Sequence, residues 1–131
     1  MDRLPIKVYV AGAYSADNVL DVLHNIRRGI RVSTQIFTLG FAPFSPWLDY
    51  HFLLQMTEAE AENITVKDFY EYSLSWLSVA DAIYVLPNSE NSHGTRKEIE
   101  FARSMGIPIF TDLVHLQQWR VRLYEQSGGQ A

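Results

Sequence analysis

Cysteine is missing from the 131 residues. That single absence excludes disulfide staples, thiolate metal sites and cysteine nucleophiles together, and it fits a reducing compartment. Charge is sparse as well: charged residues make up 20% of the chain and the formal net charge is −4. A mildly acidic chain has no global field to draw in polymeric nucleic acid or an anionic membrane, so any phosphate recognition has to be local. Long apolar runs are also lacking. The longest fall well short of the roughly 20 residues that a bilayer span needs. The start, Met1-Asp2-Arg3-Leu4-Pro5, has no apolar stretch behind its charges of the kind a signal peptide carries. The expectation is a soluble, cytoplasmic protein with no membrane partner. The four histidines show no metal-ligand spacing, and nothing is arranged as Ser–His–Asp, so neither a metal nor an organic cofactor is expected.

Apolar material is nonetheless ample. With 47% hydrophobic and 13% aromatic residues, a chain of this length can bury roughly two thirds of its unfolded surface. Composition neither shifts nor repeats along it, so a single domain over residues 1–131 is expected, with 126–131 (ending Ser127-Gly128-Gly129-Gln130-Ala131) as a frayed tail.

Ile6 to Ala11 is a β-rich run ending at Gly12. The capping side chains Ser15, Asp17 and Asn18 follow, and Val19, Val22, Leu23, Ile26, Ile30, Ile36 and Leu39 then recur at helical spacing up to a stop at Gly40. Arg27, Arg28 and Arg31 cluster within one turn of that helix, which a solvated surface explains as well as a binding patch. Phe41 to Phe44 reads as a second strand, closed by Pro46. Residues 47–65 read as a short helix or a flap. Thr65 caps the next helix, supported by Asp68, with Phe69, Tyr72, Trp76, Leu77 and Ala80 as its buried stripe. Ala82 to Leu86 is a nearly continuous apolar run, the mark of a parallel strand covered on both faces. Pro87 to Gly94 is a polar loop, Thr95 to Met105 a helix stopped by Gly106, Ile107 to Phe110 a last strand, and Asp112 to Gln126 a last helix.

This strand–helix alternation with short turns predicts an α/β fold: three layers around a doubly wound, mostly parallel sheet, Rossmann-like or flavodoxin-like. Such sheets bind ligands at the carboxyl ends of their strands. Two loops lie there, 12–18 after the first strand and 87–95 after the third.

The second loop precedes a helix whose free N–H groups make an anion site, and either Ser92 or Thr95 can cap it. Glu98 lies about one turn inside. With Thr95 as cap, Glu98 falls at the third helical position and the pair is a capping box, a purely structural arrangement that competes with a catalytic role. Glu100 faces elsewhere and reads as solvated. Gly12 serves a tight strand-to-helix turn or a close ligand approach, and Tyr9 is a core aromatic or a phenol reaching the strand end. Asp49 and His51 form either a proton relay or a surface pair, and His93 is either a ligand to phosphate or base or merely solvated.

Four stretches in register carry a resemblance: Val8-Tyr9-Val10-Ala11-Gly12-Ala13-Tyr14, Phe44-Ser45-Pro46, Trp76 to Ile83, and Ser92-His93-Gly94-Thr95-Arg96-Lys97-Glu98-Ile99-Glu100-Phe101-Ala102. The chain resembles the nucleoside 2-deoxyribosyltransferase-like superfamily, in particular its nucleotide N-glycosidases, over residues 6 to about 110. The resemblance implies cleavage of the bond between base and sugar in a nucleoside or its 5′-monophosphate, with Glu98 as the catalytic nucleophile and Tyr9 holding it by a hydrogen bond. It implies that Gly12 lets the sugar approach and that Ser92, Gly94 and the helix start seat a 5′-phosphate. Tyr14, His93, Thr95, Asp49 and His51 complete the candidate substrate-binding set. The family usually has an aspartate to protonate the leaving base where this chain has Ser73. That task then falls to Asp68, Glu71, Asp49 or His51, or is lacking, as in a nucleotide-sensing module. Transfer of the sugar to a second base is the alternative to hydrolysis. The resemblance also implies a homodimer or higher homo-oligomer, with Trp47, Trp119 and Tyr124 as aromatics fit for an interface or a core.

Overall fold

The computed structural model describes residues 3–87 and 89–128; Asn88 and 129–131, named above in the polar loop and the tail, and Met1-Asp2 lie outside the described residues. The elements are β1 (Lys7–Ala11), α1 (Val19–Thr38), β2 (Ala42–Phe44), a 3-10 turn (Pro46–Asp49), α2 (Tyr50–Gln55), α3 (Glu58–Asn63), α4 (Val66–Leu77), β3 (Ala82–Val85), α5 (His93–Ser104), β4 (Ile109–Phe110) and α6 (Leu113–Gly128). The sheet runs β2-β1-β3-β4 and every pairing is parallel, with Tyr9 opposite Phe44 and Ile83, and Ala11 opposite Val85. The chain winds from β1 outward to β2, then returns to the other side of β1 for β3, so β1 and β3 meet at the switch in strand order.

Alternation along the central strands sorts the core into two layers. Val8, Val10, Ala82 and Tyr84 face Ile26 and Ile36 of α1 and Leu116 of α6. Tyr9, Ala11, Ile83 and Val85 face Leu77 of α4 and Ala102 of α5. This is the three-layer, doubly wound architecture the strand–helix alternation predicts, with all four described strands parallel.

Local chemistry fixes the helix ends. Asn18 caps α1 by accepting the Asp21 N–H at 2.9 Å. Thr65 and Asp68 form a reciprocal capping box on α4. Gly40 and Gly106 take the left-handed conformation (φ +96° and +72°) that ends α1 and α5.

The segment without clear periodicity, 46–63, folds into the 3-10 turn and two six-residue helices. Trp47 anchors it. Its ring is 1% exposed and lies so flat on α1 that a Cβ at Gly29 would sit 2.1 Å from it. Trp47 is therefore core rather than interface. Trp119 packs on Phe110, with ring centres 5.2 Å apart, and Tyr124 lies under the Arg3 guanidinium. In α4 the buried positions are Ser73 and Leu77, whereas Trp76 is half exposed and stacks on Phe44. The tail expected to fray at 126–131 is helical through Gly128, and there the Ser127 hydroxyl accepts from Arg3 at 2.7 Å and donates to the Leu123 carbonyl at 3.2 Å. Among the described residues, no helix is long and apolar enough to cross a membrane.

Candidate active site

At the carboxyl ends of β1 and β3 lies a cavity of about 510 Å³. Its walls come from the loop after β1, the 3-10 turn, one face of α4 and the first turns of α5. The sheet brings these together because β2, β1 and β3 are adjacent and parallel, so the segments following them emerge at one edge.

Ser92, not Thr95, caps α5. Its Oγ accepts the Thr95 N–H at 3.2 Å and the Thr95 hydroxyl at 2.9 Å. The capping box between Thr95 and Glu98 therefore does not form, and Glu98 sits in the second turn, on the helix face that meets the sheet. There it is 8% exposed, lines the cavity, and accepts a hydrogen bond from the Tyr9 phenol. Tyr9 fulfils both of its readings at once: it is a fully buried core aromatic stacked on Phe44, and its hydroxyl reaches the site.

Burial pushes the Glu98 carboxyl up to about 7, and the Tyr9 hydrogen bond opposes that rise. Glu98 lies beyond the first turn, where the helix field is concentrated, and loss of water governs. Burial first, and then the neighbouring Glu98 charge, hold the Tyr9 phenol's pKa far above its ordinary value, so it stays protonated and remains a donor. A carboxyl near 7 divides between its two forms at neutral pH, and so can attack an electrophilic carbon in one form and give up a proton in the other.

A second phenol–carboxylate pair lies in the same cavity. The Tyr14 hydroxyl donates to Asp49 Oδ1 at 2.7 Å, and both residues line the space. The first loop is fixed by the Trp47 indole N–H, which donates to the Ala13 carbonyl at 3.1 Å, and by Asn25, which donates to the Tyr14 carbonyl at 3.1 Å. Burial raises the Asp49 carboxyl above its ordinary value, against the Tyr14 hydrogen bond. His51 is exposed on α2 and stands outside the cavity lining, so no Asp49–His51 relay forms. Side chains two apart on a helix point to opposite sides.

Gly12, Ser92, His93, Gly94 and Thr95 all border the cavity. A Cβ on Gly12 would meet Trp47 and Leu86 at 3.0–3.1 Å, tighter than ordinary contact, so packing alone already favours glycine there. One on Gly94 would meet the Tyr70 hydroxyl at 2.7 Å. Thr95 is buried and spends its hydroxyl on the cap, whereas His93 is exposed at the rim. The Arg28 guanidinium reaches the Pro87 carbonyl at 3.0 Å and ties α1 to the loop after β3.

The reading of single motifs passed over the wall made by α4. Val66, Phe69, Tyr70 and Ser73 all line the cavity. Their spacing is that of one helix face, and that regularity is the signal that would have found them. Tyr70 carries the Lys97 ammonium over its ring at 5.2 Å.

A family model described as a domain of unknown function (DUF4406) matches residues 6–111. Comparison with curated proteins gave no match. Among solved structures, the 2-deoxyribosyltransferase of the psychrotolerant bacterium Bacillus psychrosaccharolyticus is similar. It has a TM-score of 0.53 and 19% identity over 79% of this chain and 69% of that one, and is described as a biocatalyst for synthesis of antiviral and antitumoral nucleosides. At that identity the likeness is one of fold, which for this chain is nucleoside 2-deoxyribosyltransferase-like.

Proposed function

The chain belongs to the DUF4406 family, and from that premise we propose that it hydrolyses the N-glycosidic bond of a nucleoside 5′-monophosphate, ribo or deoxyribo, with Glu98 as nucleophile. The observation that carries the reading is the position of Glu98: a buried carboxylate with no capping duty, fixed by Tyr9, at the wall of a cavity large enough for a small ligand. Cleavage of a glycosidic bond passes through an oxocarbenium-like state, which such a carboxylate stabilises by its charge and traps covalently. Water then attacks the glycosyl ester and releases sugar phosphate.

The start of α5 suits the phosphate. Ser92 caps the Thr95 N–H, while no protein acceptor among the described residues meets the N–H groups of His93 and Gly94. Those two groups and the Ser92 hydroxyl proton are available to an anion at the end of a 12-residue helix. The apolar and aromatic wall of Leu53, Val66 and Phe69 offers a face for the base.

The test is product analysis after incubation with ribo- and deoxyribonucleotides, alongside Glu98→Ala. Free base and sugar phosphate from wild type, and none from the variant, is the expected result. No base from any nucleotide, or equal release by the variant, overturns the reading. The fold shared with a 2-deoxyribosyltransferase favours sugar transfer as the second reading. Adding a second base decides between them, because transfer yields a new nucleoside or nucleotide and hydrolysis ignores the acceptor.

A further inference from the structure

We propose that Asp49 is the acid that protonates the departing base, a role that rests on the N-glycosidase reading and for which the Ser73 hydroxyl is too weak an acid. Geometry removes the rival donors. Asp68 is committed to its capping box, where Oδ2 takes the Thr65 N–H at 2.9 Å and hydroxyl at 3.1 Å. Glu71 is exposed and paired with Lys67 at 3.0 Å. His51 is exposed outside the cavity. Asp49 alone of these four lines the cavity, 8% exposed.

The topology then sets Asp49 against Glu98. Asp49 follows β2 and Glu98 follows β3, and these strands lie on opposite sides of β1. The two carboxyl groups thus enter the cavity that Gly12 borders from segments on either side of β1. A sugar held over the loop at Gly12 meets the nucleophile from one wall and the acid from the other. Tyr14 also fixes which oxygen carries the proton. Its hydroxyl donates to Oδ1 at 2.7 Å, while Oδ2 has no protein partner among the described residues, so a proton on Asp49 sits on Oδ2. The titratable groups around Asp49 are Tyr14 from the first loop, Tyr9 from β1 and Tyr50 from the start of α2, with Glu98, Tyr70 and His93 across the cavity. No lysine or arginine belongs to that set, and burial favours the neutral acid.

The step balances as follows. A Glu98 oxygen bonds to C1′ as the C1′–N bond breaks. The electron pair of that bond passes into the base, and the Oδ2 proton is taken up on a basic ring nitrogen or carbonyl oxygen of the base. Water then adds to C1′, its proton returns to Asp49, and the ester bond to Glu98 is released.

The test compares wild type with Asp49→Asn, which keeps an oxygen for Tyr14. Two substrates are used: the nucleotide that wild type hydrolyses fastest, and 7-methylguanosine 5′-monophosphate, whose cationic base leaves without a proton. The expected loss of kcat/KM on the first is about 10²–10⁴-fold, the usual worth of a general acid, with a loss under tenfold on the second. The variant also loses the alkaline limb of the pH profile. Equal losses on both substrates, a retained alkaline limb, or a loss under tenfold on the first substrate overturns the role of Asp49 while leaving the N-glycosidase reading standing. A wild-type protein that releases no base overturns that reading itself. Should Asp49→Asn fail to fold, Tyr14→Phe serves instead. It removes the hydrogen bond that lowers the Asp49 carboxyl, so the pH profile of base release moves to higher pH, and an unmoved profile overturns the proposal.

Discussion

Replacing Glu98 by glutamine removes the proposed nucleophile and should nevertheless stabilise the protein, by an amount that grows as pH rises from 4.5 to about 7. The carboxyl rises from its ordinary 4.5 to about 7 on folding, chiefly through burial. The folded chain therefore holds this proton more tightly than the unfolded chain. Stability from this group is complete below pH 4.5 and is lost as pH rises to about 7, after which the loss is constant. Each tenfold change in proton affinity is worth about 1.4 kcal/mol, so the ionised buried side chain costs about 3 kcal/mol at pH 8. Glutamine carries no charge at any pH and keeps an oxygen for the Tyr9 hydroxyl. For 131 residues, the usual unfolding entropy converts that difference into about 10 °C in Tm. Thermal unfolding by calorimetry at pH 5 and pH 8, together with base release, makes the check. Glu98→Gln should melt near wild type at pH 5, about 10 °C higher at pH 8, and release no base at either. A variant that gains equally at both pH values, or melts lower at pH 8, refutes the account of Glu98 as a charge held at the cost of its hydration.

Other perturbations separate the parts of the site. Tyr9→Phe removes the hydrogen bond that lowers the Glu98 carboxyl. The acidic limb of the base-release profile should then move above pH 7, and kcat/KM at pH 7 should fall about 10- to 100-fold, the worth of a hydrogen bond to a charged group; pH-dependent kinetics reads both. Gly29→Ala drives a methyl to 2.1 Å from the Trp47 ring. A loss of about 1–3 kcal/mol in denaturant unfolding is expected from such overpacking. Ser92→Ala removes the α5 cap, a loss of about 1 kcal/mol. By calorimetric titration it should also weaken binding of nucleoside monophosphates, while leaving nucleosides without a phosphate unchanged.

The fold was legible where burial on both faces of a strand leaves an apolar run, as at Val8 to Ala11 and Ala82 to Leu86, and where glycines must take positive φ, as at Gly40 and Gly106. Segment 46–63 was not, because it holds to the domain through contacts distant in sequence, among them Trp47 with Gly29 and Ala13 and Asp49 with Tyr14. Trp47 lies on α1 only because position 29 has no side chain. A glycine inside a helix looks like a weakness until its partner is known. The choice of cap on α5 was hidden for a similar reason. Ser92 and Thr95 are both able caps, and what decides between them is that Thr95 is buried, 1% exposed, with its hydroxyl turned back to Ser92. That choice moves Glu98 from the first turn to the second and so from a backbone partner to the cavity. The α4 wall was missed because the stripe was drawn through Phe69, Tyr72, Trp76, Leu77 and Ala80, whereas the face that borders the cavity is Val66, Phe69, Tyr70 and Ser73.

The position of Glu98 also explains why a costly residue would be kept. A carboxylate at the protein surface would be ionised throughout the neutral range and would need no phenol to hold it. It would also do little for a cation, because at 4 Å in water two unit charges interact by only about 1 kcal/mol, against about 4 in the less polar setting of a protein site. The loss of hydration that pushes Glu98 to about 7 is thus the same condition that would strengthen its pull on the positive charge that the proposed reaction develops at C1′. Tyr9 offsets part of the cost without cancelling it, since its hydrogen bond lowers the carboxyl while burial still governs. A substrate that becomes cationic only at the transition state collects the remainder there, where it counts toward rate rather than toward binding.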